Sequence, residues 1–198
     1  MTDYFSTFGI DRTFAVDRDT LERRFHELQS ESHPDRHVTE EAKRREKALT
    51  DSSEINAAYR TLREAIPRAK HMLELYGFPI SEQKQVPQSL LMIVMDAQEK
   101  IAEIEATTDR GTKQRIMHEL GAVAEELEMR RSAIDEERAQ VAKAWDKQMH
   151  SNERDTLSAG EREHLGRMAQ LISERAYLET LHWSVHAAQQ GRPAFIQH

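Results

Sequence analysis

His33, Pro34 and Asp35 stand in a row between strongly charged segments, with Arg23 and Arg24 before them and Arg36 directly after. The chemistry they offer is recognition. Asp35 is an acceptor-only carboxylate suited to pairing with an arginine, Pro34 fixes a turn, and His33 supplies a polar group at a helix end. The same tripeptide also reads as a helix stop with polar turn residues, and by itself it leaves both readings open. Arg23, Arg24 and Arg36 would complement an acidic partner, which raises association rate more than final affinity. Glu22, Glu27 and Glu31 oppose that basic contact. The run Lys43 to Lys47 either supplements it or is a solvated helix face.

A second set lies farther along. At about 100° per residue, Leu90, Val94, Ala97, Ile101 and Ile104 fall on one side of a helix, and Leu91, Met92 and Met95 fall on the other together with Asp96 and Glu99. A surface helix needs only one apolar face. A second one, mixed with acids, is either an exposed recognition surface or a side covered by a neighbouring helix. Methionines on such a face adapt to an irregular partner groove.

Other chemistry finds little support. The chain contains no cysteine, which excludes disulfides and thiolate metal or cluster ligation. His182 and His186 are helical neighbours without an evident third metal ligand, and His33 and His37 are separated by Pro34. There is no phosphate-cradling glycine loop, and the paired acids are explained by helix solubility. No enzyme activity, cofactor or metal is expected. A net charge of -7 argues against a protein devoted to nucleic acid. No run approaches the roughly 18 apolar residues that span a bilayer, and Met1-Thr2-Asp3-Tyr4 is acidic where a signal peptide is basic. The expectation is a cytoplasmic chain with no membrane contact.

The elements that must hold these residues are helices. Charged residues make up 32% of the 198, with only seven glycines and five prolines, a composition of surface-charged helices. Asp3 to Phe8 reads as a short helix ended by Gly9, and Asp17 as the N-cap of a second helix carrying Leu21, Phe25 and Leu28. That helix ends near His33. A third begins near Thr39 and runs beyond Arg60 with Leu49, Ile55, Tyr59 and Leu62 on its apolar side, making an antiparallel hairpin. Pro67 is expected to open a fourth, closed by Gly77.

Three longer helices follow. The first carries the Leu90 stripe, the second runs from about Thr112 to Met149 through Ile116, Leu120, Val123, Leu127, Ile134, Val141 and Trp145, and the third starts at a capping box, Ser158 to Glu161. Their stripes must be buried against one another, so the expected fold is all-α: a hairpin with short helices over 1–77, a linker over 78–87 and a three-helix bundle over 88–198.

A short helix, a hairpin with His33-Pro34-Asp35 at its tip and a short fourth helix resemble a J-domain. Asp3-Tyr4-Phe5-Ser6-Thr7-Phe8-Gly9, Ile55 to Leu62 and Arg68 to Gly77 resemble HscB-type co-chaperones of iron-sulfur cluster assembly in particular, well over about the first 105 residues and loosely beyond. The resemblance implies that His33, Pro34 and Asp35, with Arg23, Arg24 and Arg36, engage a DnaK-type, HscA-like ATPase chaperone and promote ATP hydrolysis there. It implies likewise that Leu91, Met92, Met95, Asp96 and Glu99 bind an IscU-type scaffold, with Tyr177 on the same surface. Arg36 stands where the family usually has lysine, and methionine and aspartate replace the more usual leucine and glutamate of the scaffold motif. The N-terminal cysteine metal site of some eukaryotic relatives is missing. The alternative is a J-domain co-chaperone serving a general DnaK chaperone with another client.

Overall fold

In the computed structural model, residues 2–32, 42–80, 86–148 and 157–192 are described. His33, Pro34, Asp35 and Arg36 lie outside them. Every regular element among the described residues is helical, and the chain divides into two compact units, residues 1–79 with 141–166, and residues 80–140 with 167–198.

The first unit opens with α1, Tyr4–Phe8. The Asp3 side chain accepts from the Phe5 and Ser6 amides, and Gly9 closes the helix at φ +60°, a left-handed conformation that glycine reaches without a Cβ clash. Asp17 caps α2, Arg18–Glu31, by accepting from the Thr20 amide. The next helix, α3, is described from Ala42 to Arg63. Phe25 stacks on Tyr59 with ring centroids 4.2 Å apart, and Gln29 Nε2 donates to Asn56 Oδ1 at 3.0 Å, so α2 and α3 run antiparallel. Phe5, Phe8, Leu21, Ile55, Ala58 and Leu62 form the core, joined by Met72 and Leu73 of α4, Ala65–Leu75.

Two expectations need correction here. Leu49 is not part of the apolar side but 60% exposed. The register that pairs residue 25 with 59 and 29 with 56 carries Leu49 past Glu31, the end of α2, so α2 does not reach it. Pro67 does not open α4; it is the third residue. The first-turn amides have no intrahelical acceptor, so proline is tolerated there as readily as at the start.

The unit also takes in residues that were expected to belong wholly to the three-helix bundle. These come from α6, Arg110–Gln148, and α7, Ala159–Gln189. Trp145 is fully buried, edge-on to Phe14 and Tyr76, and its Nε1 donates to the Arg12 carbonyl at 3.3 Å. Its indole needs a large apolar pocket and one acceptor, which the 10–17 loop and Tyr76 supply. Arg68 Nε donates to the Phe14 carbonyl at 2.9 Å, fixing the same loop from α4. The capping box at the start of α7 is present, with Glu161 accepting from the Ser158 amide at 2.6 Å and Ser158 Oγ accepting from the Glu161 amide at 3.3 Å.

In the second unit, α5, Leu91–Ala106, follows a 3₁₀ turn at Gln88–Leu90. Arg115 pairs with Glu103 at 2.7 Å, and an Arg130 guanidinium nitrogen donates to the Ser89 carbonyl at 3.1 Å, which sets α5 and α6 antiparallel. Arg175 donates to Asp135 at 2.8 Å, while farther along Gln189 approaches Gly121, so α6 and α7 are antiparallel too. Leu90, Val94, Ala97 and Ile101 are buried, as are Ile116, Leu120, Val123 and Leu127 of α6 and Leu178, Leu181 and Val185 of α7, and together they make the core of this unit.

Candidate partner-binding surfaces

The second face of α5 is open to solvent. Leu91 is 45% exposed, Met92 79% and Met95 58%, whereas Ile93, Val94 and Ala97 beside them are buried. The core stripe occupies one side of the helix, and among the described residues of the unit nothing covers the other. Glu99 is also exposed. Asp96 is half-buried and held by Lys100 one turn on, whose ammonium also lies 4.0 Å from Glu119 of α6. The Asp96 carboxylate holds the Lys100 ammonium above the usual lysine range. The face therefore carries three apolar side chains bordered by one exposed acid and one acid tied to a lysine. Lys100 was not anticipated, although its i, i+4 spacing from Asp96 signals the pair.

Tyr177 belongs to the same end of this unit. Arg175 is level with Asp135 and Arg130 with Ser89, so Tyr177 sits within about one helical turn, roughly 5 Å, of Ser89, just before α5, along the bundle axis. It continues the stripe of Leu181, Ser184 and Ala188, and Ala188 lines a cleft with Ile104 and Glu105 of α5. Leu91 lies two heptads before Glu105 on that side of α5. Partial burial pushes the Tyr177 phenol up, so it remains a neutral O–H.

On α2 of the first unit, Arg23 and Arg24 are exposed. Arg24 pairs with Glu27 at 3.0 Å with both side chains about half exposed, a weak contact that a partner can replace at small cost. The turn residues His33, Pro34 and Asp35, with Arg36, fall outside the described residues.

The rings of His182 and His186 are parallel with centroids 6.5 Å apart, and His186 contacts Gln190. Among the described residues no group of three or more His, Cys, Asp or Glu side chains is placed to hold a metal ion. No helix among them is long and apolar enough to cross a membrane.

No family model matches the chain. Over 109 residues, 54% of its length, it is 35% identical to the Co-chaperone protein HscB of Proteus mirabilis, and that match spans 63% of the Proteus protein, just under two thirds. Among solved structures, Chaperone HscB from Vibrio cholerae aligns over 96% of this chain and 99% of its own with a TM-score of 0.61 at 23% identity. Human co-chaperone protein HscB aligns over 94% of this chain and 81% of its own with a TM-score of 0.56 at 19% identity. The chain is similar to HscB-type co-chaperones in sequence and has their all-helical fold.

Proposed function

We propose that this chain is a cytoplasmic co-chaperone that stimulates ATP hydrolysis by an HscA-like chaperone of the DnaK type and delivers an IscU-type scaffold to it for iron-sulfur cluster maturation and transfer. The chain itself catalyses nothing in this reading; it is an adaptor with two docking surfaces. The observation that carries it is the exposed Leu91, Met92 and Met95 face of α5, which the bundle has no use for, in a chain similar to proteins named co-chaperone HscB.

The mechanism is one of effective concentration. His33, Pro34 and Asp35, flanked by Arg23, Arg24 and Arg36, dock on the ATPase, with Asp35 offering its carboxylate to an arginine of the partner. Leu91, Met92 and Met95 bury themselves against the scaffold, with Tyr177 at one edge and Asp96 and Glu99 at the acidic border. With both partners on one chain, the second encounter becomes intramolecular, and delivery is efficient even where each contact is weak.

Calorimetry of the chain against a purified IscU-type scaffold tests the second surface. Leu91→Ala with Met92→Ala is expected to weaken binding at least about tenfold, or about 1.4 kcal/mol. Single-turnover ATP hydrolysis by the chaperone tests the first, with His33→Gln expected to abolish stimulation and leave scaffold binding intact. Unaltered affinity in the one assay, or unaltered stimulation in the other, removes the corresponding surface.

A further inference from the structure

The chain has no cysteine, so its only sulfur atoms are the thioethers of eight methionines. They are unequally placed. Met72 and Met168 are 0% and 1% exposed, while Met92 is the most exposed large apolar residue described, at 79%, and Met95 follows at 58%. The spacing of three sets Met92 and Met95 side by side on the open face of α5. Met117 and Met129 are also exposed but lie on α6.

We infer that Met92 and Met95 form a reversible oxidation site that switches off scaffold docking. The inference rests on the reading of this face as the scaffold surface. Hydrogen peroxide is the co-reactant. A thioether lone pair attacks one peroxide oxygen, the S–O bond forms as the O–O bond breaks, and the other oxygen leaves as water after proton transfer. The sulfur loses two electrons and the peroxide gains them.

Each product is a sulfoxide, a polar group with a strong acceptor oxygen in place of an apolar one. The docked state takes this face out of water, and an acceptor buried there without a donor is costly. Asp96 and Glu99 alongside are acceptors when ionised and offer the sulfoxides no proton. Accessibility makes the pair susceptible without unfolding, and methionine sulfoxide reductases return both sulfurs to thioethers at the expense of a dithiol, restoring the face.

The test treats the folded full chain with hydrogen peroxide, maps sulfoxides by peptide mass spectrometry, and measures affinity for a purified IscU-type scaffold before treatment, after it, and after repair by methionine sulfoxide reductases with dithiothreitol. Met92 and Met95 are expected to oxidise well before Met72 and Met168. Binding is expected to weaken at least about tenfold and to recover on repair. A Met117→Leu, Met129→Leu chain should lose affinity as the wild type does. In a Met92→Leu, Met95→Leu chain the ratio of affinities before and after treatment should stay near one, whatever its starting value. Equal affinity of the wild type with both sulfoxides formed, a loss that persists in the Met92→Leu, Met95→Leu chain, or a loss that repair does not reverse overturns the switch alone. Failure of the untreated chain to bind overturns the docking reading beneath it.

Discussion

The carboxylate of Asp146 accepts from two consecutive backbone amides, Phe14 at 2.6 Å and Ala15 at 2.8 Å. One residue earlier Trp145 fills the pocket beside Phe14, so two neighbouring side chains of α6 fix the 10–17 loop by packing and by charge. Asp146→Ala leaves both amides without this acceptor, and the Phe14 amide belongs to a buried residue. The expected loss is about 1–3 kcal/mol, read as a lower urea midpoint, with Asp146→Asn losing less because its amide oxygen still accepts one bond. A midpoint unchanged in the alanine variant would show that water serves the loop equally well.

His71 of the same unit is placed to make its stability sensitive to acid. It is buried, its Nε2 accepts from the Tyr4 amide at 3.2 Å, and its ring stacks on Tyr4 at 4.3 Å. Burial is the largest influence and lowers its pKa; Asp3 and Glu74 pull it upward and Arg12 pushes it down, leaving a net depression. Protonation also turns the acceptor of the Tyr4 bond into a donor. A depressed folded value means that the folded state binds fewer protons than the unfolded one, so the stability tied to neutral His71 is complete above the unfolded pKa of about 6.5 and disappears as pH falls through the folded value. Urea midpoints from about pH 7 to about pH 5 should therefore fall more steeply in the wild type than in His71→Gln. Parallel slopes would deny the histidine this role.

Much of this was legible because helix ends and helix faces are local. Asp3, Asp17 and the Ser158–Glu161 box act through their side chains on amides within a few residues, and Gly9 closes α1 by donating its own N–H to carbonyls of that helix. The second apolar side of α5 was readable as a pattern, since the stripe from Leu90 at steps of three and four puts Leu91, Met92 and Met95 elsewhere, but periodicity left open whether another helix covers it. Periodicity says which side of a helix is buried but not what buries it. Trp145 continues the stripe of Ile116 to Ile134, yet it packs in the first unit. Leu49 satisfied the pattern of α3 and failed because α2 ends at Glu31. The His71 bond to the Tyr4 amide spans 67 positions, and nothing local announces it.

Tyr177 provides a measure of how far the docking face extends beyond α5. It lies toward the same end of the second unit as Leu91 and is partly buried, so its ring can be covered by a partner without first being ordered. Tyr177→Ala is expected to weaken scaffold binding at least about threefold, about 0.7 kcal/mol, while Tyr177→Phe retains most of the affinity because the apolar ring carries the contact. Calorimetry in which both variants match the wild type would confine the surface to α5.

The acidic border of that face can be tested without altering its apolar centre. Lys100 is tied to Asp96 and lies 4.0 Å from Glu119, so it partly neutralises the acids that would meet a basic partner surface. Lys100→Met keeps the aliphatic stem, whose packing leaves only 20% of the side chain exposed, and removes the charge. With Asp96 released, the border becomes more negative. Association with a scaffold presenting basic groups should then accelerate about two- to threefold at low salt, and the gain should fade near 1 M salt, where the screening length falls to about 3 Å. Stopped-flow mixing at several ionic strengths reads both quantities. A rate that is unchanged or lower at low salt would mean that Asp96 and Glu99 do not face a basic partner, and the docking surface would reduce to its apolar residues.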